Sequence, residues 1–352
     1  MLGGGIYITQ NKTLPGSYIN VVSATRSTST LGDRGVVAIA IPLVQANAGK
    51  VIECTAQDYV QNHDTVLGES IPANSDKVLR EIFKHANKAI IFNNINPTSG
   101  TAPTISTICK ALEPYEFNVL ACYTKTAADI TSYVTQIKTW RNDYGKKCVG
   151  VVYNPTTAPD YEGIINVVSK VSDSGADEHA LVAWVAGAEA GCKINSSCTN
   201  MLYDGEYTII CDKTQSDLET CIQNGQIAFH LVYGDVRMLE DINSLKTTSA
   251  DKGDDFKSNQ TIRVVDQIAN DIAKLYNTRY LGVIPNNDSG RKSLWADIVS
   301  HHRKLEAMQA IENFDTSLLT VEQGETKKSV VVYDAVKVVN AMTQLYMTVV
   351  VQ

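Results

Sequence analysis

Leu345-Tyr346-Met347-Thr348-Val349-Val350-Val351-Gln352 closes the sequence. Chain ends are ordinarily polar and frayed. This one is apolar, aromatic and β-branched, so it reads as a strand in need of a partner. The other end repeats the pattern: Ile6-Tyr7-Ile8-Thr9, a Pro15-Gly16 turn, then Ser17-Tyr18-Ile19-Asn20-Val21-Val22. Unpaired apolar strands invite aggregation unless a sheet edge takes them up. The simplest use for two of them is addition to the sheets of neighbouring copies. The expected inter-subunit arm residues are therefore Ile6, Tyr7, Ile8, Tyr18, Ile19 and Val21 at one end, with Tyr346, Met347, Val349, Val350 and Val351 at the other.

Inward from these ends the chain divides by pattern. Residues 1–22 read as an extended arm, loosened by Gly3-Gly4-Gly5. Residues 23–95 read as a small β-rich domain, with strands at 35–43, 51–54 and 88–93 and a helix at 76–86. Residues 96–245 alternate helix and strand, which predicts a mainly parallel sheet covered by helices. There, helices are expected at 104–112, 127–144, 164–171 and 216–224, and strands at 117–123, 147–153, 207–211 and 227–233. Residues 246–342 read as an α+β domain with helices at 258–276 and 294–310, and strands at 318–322, 329–334 and 336–339. In the first of those helices Ile262, Val265, Ile268, Ile272 and Leu275 form an apolar stripe. Residues 343–352 form the second arm. The fold class is thus multidomain, α/β and α+β, with strand arms.

Composition removes several functions. The chain has 352 residues, and 31 Lys and Arg against 38 Asp and Glu give a formal charge of −7, which argues against nucleic acid as the main partner. No run is long and apolar enough to span a membrane, and no secretory signal is visible, so any release is expected by lysis. The eight cysteines show no CxxC spacing and no neighbouring His at ligand spacing, so they read as buried free thiols rather than a metal or redox site. Gly3-Gly4-Gly5 lacks the strand and the Lys-Ser or Lys-Thr of a phosphate loop, and Gly187-Ala188-Glu189-Ala190-Gly191 reads as a tight turn without dinucleotide spacing. His301-His302, adjacent on a helix, point in different directions and make no joint metal site. His230, within an apolar strand, reads as a core side chain. No cofactor, metal or catalytic residue is expected.

Several stretches together resemble the contractile tail sheath proteins of phages and phage-tail-like bacteriocins, most like those of Gram-positive prophage and bacteriocin particles. They are Pro15–Ile19, Asp33-Arg34-Gly35, Trp184-Val185-Ala186-Gly187-Ala188-Glu189-Ala190-Gly191 with Ser196–Asn200, Gly225-Gln226, 236–245, 262–272, 280–291 and 346–351. Cys198 stands where that family often has Leu. The resemblance implies a structural, non-enzymatic subunit with a subtilisin-like central domain. It also implies self-assembly into a helical sheath of stacked rings. The implied partners are an inner tail tube protein and baseplate and tail terminator proteins, with no nucleic acid and no membrane insertion. The implied location is a virion tail or tail-like particle, assembled in the host bacterial cytoplasm.

Arg291, Lys292, Arg303 and Lys304 lie on or beside one helix of an acidic chain. They have two readings: a solvated helix face with ordinary ion pairs, or, by the resemblance, contacts to an acidic tube. Arg263 and Asp266, three apart on a helix, read as a local pair or as holding the 294–310 helix against the 258–276 helix. The rival to the whole reading is an intracellular α/β enzyme or ligand-binding protein with a β-rich accessory domain, which needs a pocket with perturbed acids or bases.

Overall fold

The computed structural model describes residues 31–98 and 100–351. The expected arm positions Ile6, Tyr7, Ile8, Tyr18, Ile19 and Val21 lie outside the described residues. Among the described residues, β1 (Val36–Ile41), β2 (Val51–Thr55), β3 (Lys88–Asn93), β4 (Val119–Ala121), β5 (Val149–Tyr153), β6 (Ile164–Val167) and β7 (Gln226–Ile227) form one sheet in the order β2-β3-β1-β4-β5-β6-β7. β2 pairs antiparallel with β3; the other pairings are parallel.

The strand sequences explain the layering. In β1, Val37, Ile39 and Ile41 enter the core on one face, while Ala38 and Ala40 enter the core on the other. A strand covered on both sides has no place for polar residues, hence its unbroken apolar run. Helices supply both covers. They are α1 (Ala56–Gln61), α2 (His63–Leu67), α3 (Ala73–Phe83), α4 (Ile105–Leu112), α5 (Ala127–Asn142), α6 (Leu181–Gly191) and α7 (Gln215–Gln223). α3 and α6 pack on one face, and α4 and α5 on the other. α6 is apolar except for Glu189 and buried from Leu181 to Ala190, as befits a helix held between a sheet and a second helix.

Four expectations need correction. The boundary at residue 95 does not separate two sheets: β1 lies hydrogen-bonded between β3 and β4, so the expected β-rich 23–95 unit shares a sheet with 96–245. Parallel crossovers bring together strands that are distant in sequence, which a linear scan divides. Residues 164–171, expected as helix, supply strand β6; a stretch as short as Ile164-Ile165-Asn166-Val167 carries no decisive period. Ala188-Glu189-Ala190-Gly191, expected as a turn, is the last turn of α6. Residues 207–211 meet another segment through a single bridge, Ile209 with Val171, and form no named strand.

A hairpin of β8 (Phe229–Val232) and β9 (Asp235–Met238) leads out of the sheet. Its two turn residues, Tyr233 and Gly234, both have positive φ (51° and 94°), matching a two-residue primed turn. The C-terminal unit follows. α8 (Asn259–Leu275) and α9 (Asp288–Ala307) share a core built from Val264, Leu275, Leu294, Ile298 and Leu305. Two small antiparallel pairs flank them: β10 (Ile311–Glu312) with β13 (Lys337–Val338), and β11 (Thr320–Gln323) with β12 (Val330–Tyr333).

Candidate functional site

α8 is the spine on which the pieces meet. Its Val264, Ile268, Ile272 and Leu275 pack on the core shared with α9, yet its polar residues Arg263, Asp266, Gln267 and Asp271 are buried too. Nη2 of Arg263 lies 2.7 Å from Glu189 Oε2 on α6 and 3.2 Å from Asp241 Oδ2, and its Nη1 donates to the Ser196 carbonyl at 2.7 Å. One turn on, Asp266 accepts a two-pronged bond from Arg141 of α5, at 2.5 and 2.8 Å. Neither expected role of Arg263 and Asp266, a local pair or a tie to α9, is the one their ion pairs take: each side chain crosses to the central sheet unit instead. Arg34, which follows the N-terminal stretch, donates to Gln267 and to the Glu189 carbonyl; burial and the neighbouring Arg263 bring its guanidinium down to about 10.

Electrostatics within this cluster are uneven. Burial, reinforced by Asp241, pushes the Glu189 carboxyl far above the usual range. Burial pushes Asp241 the same way, but Arg263 and several hydrogen bonds outweigh it and hold its carboxyl low. Glu189 is therefore the protonated partner and Asp241 the counter-ion of Arg263. Glu189, Cys198 and Asp241 bring possible ligand atoms within 4.8 Å of one another, a spacing that could suit a metal ion. The Arg263 guanidinium already neutralises that position, so the donor set does not fit a metal.

The described residues near both ends of the chain are held on α8. At the N-terminal root, the Gly32 amide donates to Asp271 Oδ1 at 2.9 Å, Gln267 donates to the Gly32 carbonyl, and Leu31 packs on the α8–α9 core. At the C-terminal root, Gln260 donates to the Val339 carbonyl at 3.0 Å and accepts from the Ala341 amide at 3.0 Å, while Thr261 bonds Asn340. Beyond Ala341 the chain leaves the protein body. Tyr346, Met347, Val349, Val350 and Val351 belong to no strand among the described residues, and Tyr346 is 87% and Val351 91% exposed. A groove of about 570 Å³ opens beside this root, lined by Gln260, Ile311, Asn313 and Met342 among others.

The four cations do not form one cluster. Arg291 and Lys292 sit near the start of α9, Arg303 and Lys304 near its end, some 11–13 residues or about 17–20 Å along the axis. Arg291 is tied to Asp288 and Asn286. Arg303 pairs with Glu306 at 2.6 Å and lies over the Phe314 ring. Lys292 and Arg303, eleven residues apart, fall on the same exposed side of the helix.

His301 and His302 do meet, contrary to expectation: their Nδ1 atoms are 3.1 Å apart. Neighbours on a helix usually diverge, but Nδ1 is close to the backbone and the outer nitrogens are drawn to opposite carboxylates. His230 is half-buried on β8, and burial lowers its basicity. All eight cysteines are free thiols and six are buried. Burial raises Cys54 to about 11 and Cys109 and Cys148 to about 12. Cys192, half-buried, is the exception: a hydrogen bond with Cys198 brings it down to about 7. No helix of the described residues is long and apolar enough to cross a membrane.

The comparisons with known proteins decide the family. Residues 99–244 match the phage tail sheath protein central domain, and residues 251–352 the phage tail sheath C-terminal domain, together more than two thirds of the chain. The chain belongs to the phage tail sheath family. Among curated relatives of this sheath protein, the phage-like element PBSX protein XkdK of Bacillus subtilis is 29% identical over 252 residues, covering 68% of this chain and 54% of the relative. A tail sheath protein of Clostridium phage phiCD119 is 28% identical, covering 62% of this chain and 61% of the relative. The chain thus spans about half the length, or a little more, of the curated relatives it matches. Among solved structures, the sheath tail protein of Desulfitobacterium hafniense superposes with a TM-score of 0.78 at 24% identity, covering 93% of this chain and 98% of that one. The helical sheath of the anti-feeding prophage in its contracted state gives 0.73 at 14% identity, covering 96% and 99%. Both share the multidomain α/β fold with its mainly parallel central sheet.

Proposed function

We propose that this chain is a structural, non-enzymatic subunit of a contractile tail sheath. Copies stack as rings around an inner tube, and their contraction drives the tube through a target envelope. The observation that carries this reading is the contrast at the C-terminal root. Up to Ala341 the chain is held by paired hydrogen bonds to α8, and beyond it a run of Tyr, Met and Val side chains stands in solvent. Leaving such a strand bare is unfavourable, and a neighbouring copy can take it up. Edges suited to that role are at hand in the β10–β13 and β11–β12 pairs, with the groove beside β10. Each added backbone hydrogen bond contributes ~0.5–1.5 kcal/mol net, with apolar burial on top.

On this reading residues 1–22 form the second exchanged arm, and residues 343–352 the first. The central unit, with a subtilisin-like scaffold put to structural use, is a body that repacks during contraction while the arms stay linked. Lys292 and Arg303, with Arg291 and Lys304 near them, face an acidic tube. Exposed ion pairs of ~0–1 kcal/mol suit a grip that must later slide. The tail tube, baseplate and tail terminator proteins are the partners, in a particle assembled in the host cytoplasm and freed by lysis. Electron microscopy of the purified chain tests the reading: long hollow tubes are expected. Discrete particles that bind a small molecule instead would overturn it.

A further inference from the structure

Four ionisable groups of the C-terminal unit stand in one row that the assembly reading does not use. His301 and His302 are 1% and 0% exposed. His301 Nε2 lies 2.9 Å from Asp271 Oδ2, the two Nδ1 atoms face each other at 3.1 Å, and His302 Nε2 lies 2.6 Å from Asp334 Oδ2. The row ends at the two roots. Asp271, through its other oxygen, holds the Gly32 amide and Gln267. Asp334 sits between β12 and β13, and β13 runs directly into the C-terminal root, where the Val339 amide donates to Ala310.

Counting protons defines the state of this row. With both carboxylates ionised, each Nε2 must carry a hydrogen to make its contact, and the Nδ1···Nδ1 contact needs one more. Three protons on two imidazoles give the pair a single positive charge between two negative ones. A fourth proton sets two N–H groups head to head; removal of the third sets two lone pairs head to head. Either change opens the middle of the row. From α8 the pair faces Asp271, and from the β12–β13 link Asp334. Across α9 and the segment after β10 it meets the Phe314 ring, 4.9 Å from His302, with Arg303 over that ring and Glu306 bonded to Arg303.

We propose that the His301–His302 pair is a one-proton latch that joins the roots of the two terminal extensions, so that a change in its proton count loosens both roots together. The consequence for the particle rests on the reading of the extensions as inter-subunit strands; the coupling itself belongs to the single chain. Hydrogen exchange of the soluble full-length protein tests it, with protection at Gly32 and at 339–341 followed against pH. In the native chain both roots are expected to lose protection at a common pH on each side of the window. Asp334→Ala, a change at one root, is expected to speed exchange of the Gly32 amide at the other by about tenfold. The H301Q/H302Q variant keeps a donor for each carboxylate but cannot share a proton, so the common pH step at the two roots should disappear. Exchange that rises only at 334–341 in Asp334→Ala overturns the latch, as does an unchanged pH response in H301Q/H302Q. Microscopy of the same native preparation keeps the two readings apart: tubes without coupled roots reject the latch and leave the assembly reading standing.

Discussion

Arg263 on α8 and Glu189 on α6, 74 residues apart in sequence, meet at 2.7 Å with both side chains almost wholly out of solvent. A buried guanidinium is tolerated only where charge and hydrogen bonds compensate it. Here Asp241 supplies the charge and Glu189 and the Ser196 carbonyl the remaining acceptors. The joint between the central sheet and the C-terminal unit is therefore a specific polar lock, reinforced one turn along by Asp266 with Arg141.

The lock predicts an asymmetry among its members. Arg263→Met leaves Asp241 buried without a counter-charge and should cost ~3–5 kcal/mol. Asp241→Asn should be comparably harmful. Glu189→Gln should cost no more than about 1 kcal/mol, because burial already keeps that carboxyl protonated and the amide retains a donor. Urea denaturation of the three variants checks this. Equal losses for Glu189→Gln and Asp241→Asn would contradict the assignment of the proton.

Close packing of α6 on α3 makes a second prediction. A Cβ at Gly187 would lie 2.5 Å from the Ile82 carbonyl oxygen, and one at Gly191 2.1 Å from that of His85. Backbone cannot swing aside as a side chain can, so each Gly→Ala change should lower stability by ~1–3 kcal/mol despite the better helix propensity of Ala. Thermal melts of the single variants, with Ala183→Gly as a helix-propensity control, would expose an ordinary helical glycine by a rise in Tm at 187 or 191.

These glycines and the lock mark where sequence reasoning stops. The apolar stripe of α8 was legible in part: Ile268, Ile272 and Leu275 pack on the core shared with α9, but Val264, outside the expected stripe, joins them, and Val265 is only half-buried. The opposite face, Arg263, Asp266, Gln267 and Asp271, carries the charged and polar residues that usually meet water, and it is as buried as the stripe. Its partners, Arg141 and Glu189, lie 125 and 74 residues away, so no local period announces them. Gly187 and Gly191 look like turn residues because the backbone that approaches them, at Ile82 in α3 and His85 just after it, is distant in sequence. The same limit joined 23–95 to the sheet of 96–245: β1 pairs with β4 across some eighty residues. The one usable signal was charge density, since Arg263 and Asp266 interrupt a helix whose other face is already apolar.

Acid should weaken the protein through Asp160. Hydrogen bonds from the Thr247 and Lys246 amides bring its carboxyl down to about 2. A depressed folded value means the unfolded chain binds protons first as pH falls. The contribution of Asp160 is therefore complete above about pH 4, the unfolded carboxyl's range, and is lost as pH drops toward 2. Asp160 also has a positive φ of 44°, which Asn tolerates. Asp160→Asn should flatten the stability-versus-pH curve between pH 4 and 2 while leaving the fold intact. An unchanged slope in urea titrations across that range would remove Asp160 from the account.

Removal of residues 343–352 separates folding from assembly. Among the described residues of that segment Tyr346 donates locally to Gln344, and the last bond that holds the root to α8 is at Ala341. Its apolar side chains are exposed, so deleting them withdraws almost no burial from the single chain. Unfolding free energy should therefore change by no more than about 0.5 kcal/mol, the range of surface substitutions. Assembly should fail completely, because the lost strand is the part that a neighbour completes. Replacing Tyr346, Val349 and Val351 by Ser should act in the same direction while preserving length. Each variant is measured twice, by urea denaturation for the subunit and by electron microscopy for tubes. Normal tubes from the truncated chain would show that the terminal run is dispensable, and a large fall in subunit stability would show that it packs on its own body.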